Sequence, residues 1–126
     1  CLNAHFSIIV YQDDNDNNNY IKLISSSFEG SIKIFNFHTG MLLNKIEKDN
    51  SKFYGISFWN QQYLFCGSKE GSIYMVDIIN GKIAKNIKVS DCDVITLKTI
   101  SHPFYGKCMI SQGILNKGIK IWIKKT

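Results

Sequence analysis

The hexapeptide Ser27-Phe28-Glu29-Gly30-Ser31-Ile32 returns 41 residues later as Ser68-Lys69-Glu70-Gly71-Ser72-Ile73. Extending the match without a gap, Ser27 to Glu47 on Ser68 to Lys88, also superposes Gly40 on Gly81 and Ile46 on Ile87, seven identities over twenty-one positions. A third copy, Lys117-Gly118-Ile119-Lys120-Ile121-Trp122, aligns once about five extra residues are admitted before it. The paired glycines carry more meaning than the count. Glycine is the residue that turns a backbone through positive φ, so each unit has corners at the same places. The chain is built from repeats.

Between these corners the apolar residues alternate as in strands half-buried on each face. The first unit reads as four strands, Phe6 to Tyr11, Tyr20 to Ser26, Ser31 to Phe37 and Met41 to Glu47. The second reads as Phe53 to Trp59, Tyr63 to Gly67, Ser72 to Ile78 and Lys82 to Lys88. The third supplies Val94 to Ile100, Lys107 to Ser111 and Gly118 to Ile123, and the sequence stops before a fourth. His38-Thr39-Gly40 and Ile79-Asn80-Gly81 have the chemistry of tight hairpin turns, and the only proline, Pro103, falls in a connection. Four short strands in a period of roughly 40–45 residues are the mark of β-propeller blades. The expected fold is all-β: a partial β-propeller of about three four-stranded antiparallel blades, the last lacking its outer strand. The blades span about 5–48, 52–89 and 93–124.

A propeller closes with about 4–8 blades, and the first residue is Cys1. The expectation is therefore a fragment whose remaining blades come from the same parent protein or from another chain. Of the 126 residues, 44% are hydrophobic and 13% aromatic, a globular composition. All fifteen basic residues are lysine and the formal net charge is +5. Without arginine there is no bidentate fork for phosphate or guanine, so the charge reads first as a solvated surface. The four cysteines, Cys1, Cys66, Cys92 and Cys108, lack metal-binding spacing and are expected as free thiols in a reducing, intracellular setting, cytoplasmic or nuclear. No apolar run reaches the ~20 residues of a membrane span. The acid and amide run from Gln12 to Asn19 reads as a mobile surface insertion. It lacks the glycine and terminal glutamate of a calcium loop.

With the blades laid out, the chain resembles the WD-repeat family over essentially its whole length. Glu29-Gly30 and Glu70-Gly71 occupy that family's acidic turn, and its Trp-Asp pair is represented by Phe35-Asn36, Val76-Asp77 and Trp122-Ile123. The Gly-His dipeptide that usually precedes the first strand is missing in all three units, and Asn116 replaces the third acid. The resemblance implies a buried acid, histidine and tryptophan network in each blade, which none of these blades can form whole. It also implies closure by an N-terminal strand on a last blade that ends at its third strand. On that pattern these are the last three blades of a larger propeller, an expectation that a further blade after Thr126 in the full-length sequence would refute.

Catalytic chemistry finds no support. His5, His38 and His102 fall at different blade positions, and no nucleophile elbow, P-loop or HExxH segment occurs. Asp91 and Asp93 flank Cys92, but carboxylates are the wrong neighbours for an activated thiol. A quinoprotein-like propeller shares the run Tyr74 to Lys82, ending in Gly81-Lys82, yet those repeats usually carry a tryptophan in the fourth strand and neither fourth strand here does. What remains is binding by surfaces, without cofactor or metal. In WD-repeat propellers the turns between second and third strands form one rim with the connections between blades. That resemblance assigns Phe28, Glu29, Lys69, Glu70, Asp91, Asp93, Ile114 and Leu115 to partner binding. The expected role is a non-catalytic scaffold for protein–protein contacts in a larger intracellular complex. An RNA-associated module, using lysines such as Lys82, Lys85, Lys88, Lys120, Lys124 and Lys125, is the other alternative.

Overall fold

A computed structural model of the chain describes residues 5–12, 21–113 and 119–123. Strands β1 (His5–Gln12), β2 (Ile21–Ser27), β3 (Ser31–Asn36) and β4 (Leu42–Glu47) form one sheet in sequence order. Strands β5 (Phe53–Phe58), β6 (Tyr63–Ser68), β7 (Ser72–Asp77) and β8 (Lys82–Lys88) form the second, with a single 3-10 turn, Lys69–Gly71, at its β6–β7 corner. The third holds β9 (Val94–His102), β10 (Gly106–Gly113) and β11 (Ile119–Ile123). Every neighbouring pair is antiparallel. Among the described residues the chain is thus all-β and arranged as consecutive propeller blades, with four, four and three strands. The Gln12 to Asn19 insertion lies, from residue 13 on, outside the described residues.

Strand boundaries match the alternation to within one or two residues, and the third hairpin shows the cause of one such difference. There β9 runs on to His102 and β10 begins at Gly106, leaving only Pro103-Phe104-Tyr105 in the turn. The cause is local. His102 Nδ1 accepts the backbone amides of Phe104 at 3.0 Å and Tyr105 at 3.1 Å, which folds the chain back at once and lets the ladder continue to its end.

Burial follows the period of two. Ile24, Ile32, Ile34 and Ile46 of the first sheet pack against Phe53, Ile56, Leu64 and Val76 of the second. On the second sheet's other face, Phe65 and Ile73 meet Val94, Leu97 and Met109 of the third. Each fully buried side chain of this size contributes about 1.5–3 kcal/mol over its exposed state, so the contacts between sheets hold the blades side by side. Innermost, β5 lies between β1 and β9, and Ser57 Oγ on β5 meets Thr99 Oγ1 on β9 at 2.8 Å. Cys66 and Cys108 are buried at 0% and 2% exposure, as expected of cysteines in apolar strands.

Candidate functional site

The two matching hexapeptides form the β2–β3 and β6–β7 turns, and both are fastened in the same way. The carbonyl of Gly30 accepts the amide of Lys48 at 2.8 Å, and that of Gly71 accepts the amide of Val89 at 2.8 Å. Each turn is clasped by the first residue after its own blade's outer strand. Gly30 and Gly71 have φ of +77° and +79°, and the main chain crowds them: a β-carbon on Gly71 would sit 1.8 Å from the Ser90 carbonyl oxygen. Only glycine fits, through both backbone angle and space.

This clasp brings the connections at 48–52 and 89–93 beside the turns and so makes one rim. Tyr54, near the start of β5, is its hinge. Its hydroxyl donates to Asp93 Oδ2 at 2.7 Å, while Asp93 Oδ1 accepts the backbone amide of Glu70 at 2.8 Å. Glu70 itself holds a left-handed φ of +62°, a conformation that costs a residue with a side chain about 1 kcal/mol or more, and the Asp93 carboxylate fastens it there. Against the other side of Tyr54 stands Phe28, edge to face, with ring centroids 5.5 Å apart. Burial, then the hydrogen bond to Asp93 and its charge, push the Tyr54 hydroxyl up to about 12. It is a proton donor at any physiological pH.

Of the rim residues named from the sequence, Phe28, Glu70 and Asp93 are gathered around Tyr54. Glu29 and Asp91 are exposed and Lys69 half-buried along the same edge. Ile114 and Leu115 lie outside the described residues. Tyr54 was missed, because its partners come from distant turns. Its only advance signal was a tyrosine beside a fully buried Phe53, where alternation asks for a residue of the opposite face.

The opposite rim is built from side-chain-capped turns. Asp77 accepts the amides of Ile79 and Asn80 on Oδ1 and the side-chain amides of Asn80 and Gln62 on Oδ2, all within 3.1 Å. The Asn80 bonds foremost hold its carboxyl below the usual carboxylate range. Asn36 does the same for His38 and Thr39, so the residues in the family's Asp position work here as turn caps. Phe104 and Tyr105 protrude on this side at 82% and 54% exposure, an aromatic pair after a proline that sequence reasoning passed over. In the third sheet Trp122 Nε1 donates to Ser111 Oγ at 3.0 Å across the β10–β11 pair. Among the described residues no three His, Cys, Asp or Glu side chains group as metal ligands.

Consecutive blades, glycine corners and turns clasped by the chain leaving each blade define a β-propeller segment, and solved structures agree. The chain is similar to the WD40 β-propeller domain of Doa1, with a TM-score of 0.69 and 21% identity over 83% of this chain and 34% of that one. It is also similar to two computationally designed proteins. With Ika8 the TM-score is 0.68 at 17% identity, covering 97% of this chain and 34% of the other. With Ika4 it is 0.64 at 19%, covering 92% and 64%. No family model and no curated protein matches the sequence. The chain spans about a third of the length of the Doa1 domain, and what it shares with that domain is the fold, a WD40-type propeller.

Proposed function

We propose that the chain is part of a non-catalytic scaffold of the WD-repeat kind, intracellular, whose rim docks a segment of a protein partner within a larger assembly. The observation that carries this reading is the placement of charge. Six of the seven described acids, Glu29, Glu47, Asp49, Glu70, Asp91 and Asp93, lie in or at the ends of the turns and connections of one rim, in a protein of net charge +5. Phe28, 39% exposed, stands among them. An apolar contact on a rim where these six acids outnumber Lys48, Lys52, Lys69 and Lys88 suits a segment that carries lysine or arginine next to an apolar residue. Charge of this kind steers encounter and fixes register, and the aromatic supplies contact area.

The test is cross-linking capture from native cells with the complete protein, comparing wild type with a Phe28→Ser, Asp91→Lys variant. Asp91 is exposed, and Phe28→Ser removes the ring contact with Tyr54 while leaving both clusters between the sheets intact. Loss of a protein partner from the variant, with unchanged circular dichroism, is the expected result. Equal capture of every partner would show that the rim is not the docking face. Capture of RNA instead, falling steeply with salt, would move the function to the lysine-rich strands.

A further inference from the structure

Four hairpin turns of the opposite rim share one device: a side-chain acceptor takes the backbone amides two and three positions further on. Asn36 Oδ1 accepts those of His38 and Thr39 at 2.9 and 3.1 Å. Asn60 Oδ1 accepts those of Gln62 and Tyr63, both at 2.8 Å. Asp77 Oδ1 accepts those of Ile79 and Asn80 at 3.1 and 2.9 Å. At the β9–β10 turn the acceptor is instead a ring nitrogen, His102 Nδ1, on Phe104 and Tyr105.

The acceptors differ in what a proton does to them. A side-chain amide does not titrate near neutrality and a carboxylate does so in acid, whereas histidine is the side chain whose charge ordinarily changes between pH 5 and 8. A ring nitrogen that accepts two N–H groups carries no hydrogen, so the closed turn takes only the neutral ring, protonated on Nε2. A second proton makes Nδ1 a donor facing two donors, and both bonds are lost together.

Neighbouring charge does not offset that loss. Against β9, β10 brings Lys107 and Cys108, β5 brings Tyr54, β6 brings Tyr63 and Cys66, and the Lys69–Gly71 turn brings Lys69 and Glu70; β9 itself carries Lys98 and its turn Tyr105. The one carboxylate in this set, Glu70, belongs to the other rim, where its amide bonds to Asp93 just before β9 begins. His102 closes the opposite end of that strand, about 26 Å away at ~3.3 Å per residue. Lys107, which follows the Gly106 paired with His102, is itself positive.

We propose that His102 is a proton-operated latch: at neutral pH it holds Phe104 and Tyr105 in one fixed display, and in mild acid it releases the β9–β10 turn. The two rings meet edge to face with centroids 5.1 Å apart, and that of Tyr105 lies 5.0 Å from the imidazole, so the cap and the display are one unit. The cap is complete above the range in which the ring titrates and is lost as pH falls through it. A pre-ordered aromatic pair costs less to bind than a mobile one, so contacts made through it are graded by pH. The latch uses other residues than the acidic rim and stands independently of the docking reading.

Hydrogen exchange of the full chain, followed amide by amide and divided at each pH by the rate of an unstructured peptide, tests this. From pH 8 to pH 5, protection of Phe104 and Tyr105 should fall about tenfold, while Gln62 and Tyr63, capped by Asn60, keep theirs. His102→Asn supplies the acceptor of two sister turns and should hold the turn closed at both pH values, with unchanged protection at Gln62 and Tyr63 showing that the variant is folded. Protection of Phe104 and Tyr105 that is indifferent to pH in the wild type overturns the proposal. So does a loss in acid that His102→Asn retains, which would place the titrating group elsewhere, or one that the Asn60 turn shares, which would mean that acid loosens the blades as a whole.

Discussion

Replacing Tyr54 with phenylalanine removes one oxygen and leaves the ring against Phe28 and the core. No cavity opens, so the whole effect lies in the 2.7 Å bond to Asp93. A hydrogen bond to a charged acceptor contributes about 1.5–3 kcal/mol. Asp93 is half-buried, and water takes up part of the loss, so the low end applies: about 1.5 kcal/mol, or roughly 6 °C in Tm for a chain of this size. Asp93→Ala also releases the Glu70 amide and costs more, about 2–3 kcal/mol. The two changes share one bond, and the double variant should be less destabilised than their sum by about 1 kcal/mol. Urea denaturation of the four proteins measures this coupling. The pH dependence gives a second check. The folded pKa, about 12, lies above the ordinary 10.0, so the protonated hydroxyl's contribution is complete below pH 10 and is lost as pH rises toward 12. The stability gap between wild type and Tyr54→Phe should be flat below pH 10 and close above it. Additive losses within about 0.3–0.5 kcal/mol, or a gap indifferent to alkali, would refute the account of the rim as a network hinged on Tyr54.

Gly71→Ala and Gly40→Ala separate backbone strain from crowding. Both glycines have positive φ, but a β-carbon meets the Ser90 carbonyl at position 71 and nothing within 4 Å at position 40, so calorimetry should show about 1 kcal/mol lost at 40 and severalfold more at 71. Native-state alkylation followed by mass spectrometry should label half-buried Cys92 and spare Cys66, whose thiol is buried and pushed up in pKa; early labelling of Cys66 would mean that the β6 core opens. Asp77 is depressed below its ordinary 3.8, so its contribution is complete above that pH and disappears as pH falls through the folded value. Acid titration of Asp77→Ala should therefore converge with wild type below pH 3.8, and parallel curves would show that the turn carboxylate plays no part in folding.

How far the fold could be read in advance is clearest at the corners. Gly30 and Gly71 announce the blade turns because no other residue meets their angle and their crowded main-chain neighbours, and a requirement that strict shows in a single sequence. The strands and their grouping into blades followed from the same period. The rim was legible only in part. Phe28, Glu70 and Asp93 could be placed on one edge from their blade positions, but Tyr54 bonds to a residue 39 positions away, a relation that alternation does not encode. His102 shows the same limit at shorter range: its side chain extends a hairpin by accepting two amides, where pattern alone ends the strand at Ile100. The partial resemblance to the WD-repeat signature has a physical counterpart too, since Asn36 and Asp77 serve as turn caps, a task that either side chain performs.

The clasp at Gly30 and Gly71 is made by main-chain atoms alone. Nothing in it specifies the side chain two positions before each glycine, and the repeats already differ there: the same corner displays phenylalanine at 28 and lysine at 69. The chemistry displayed at that position of the rim is thereby uncoupled from the clasp. Natural variation, or a designer, can rewrite these displayed residues corner by corner, turning an aromatic contact into a cationic one, while the geometry that presents them stays constant.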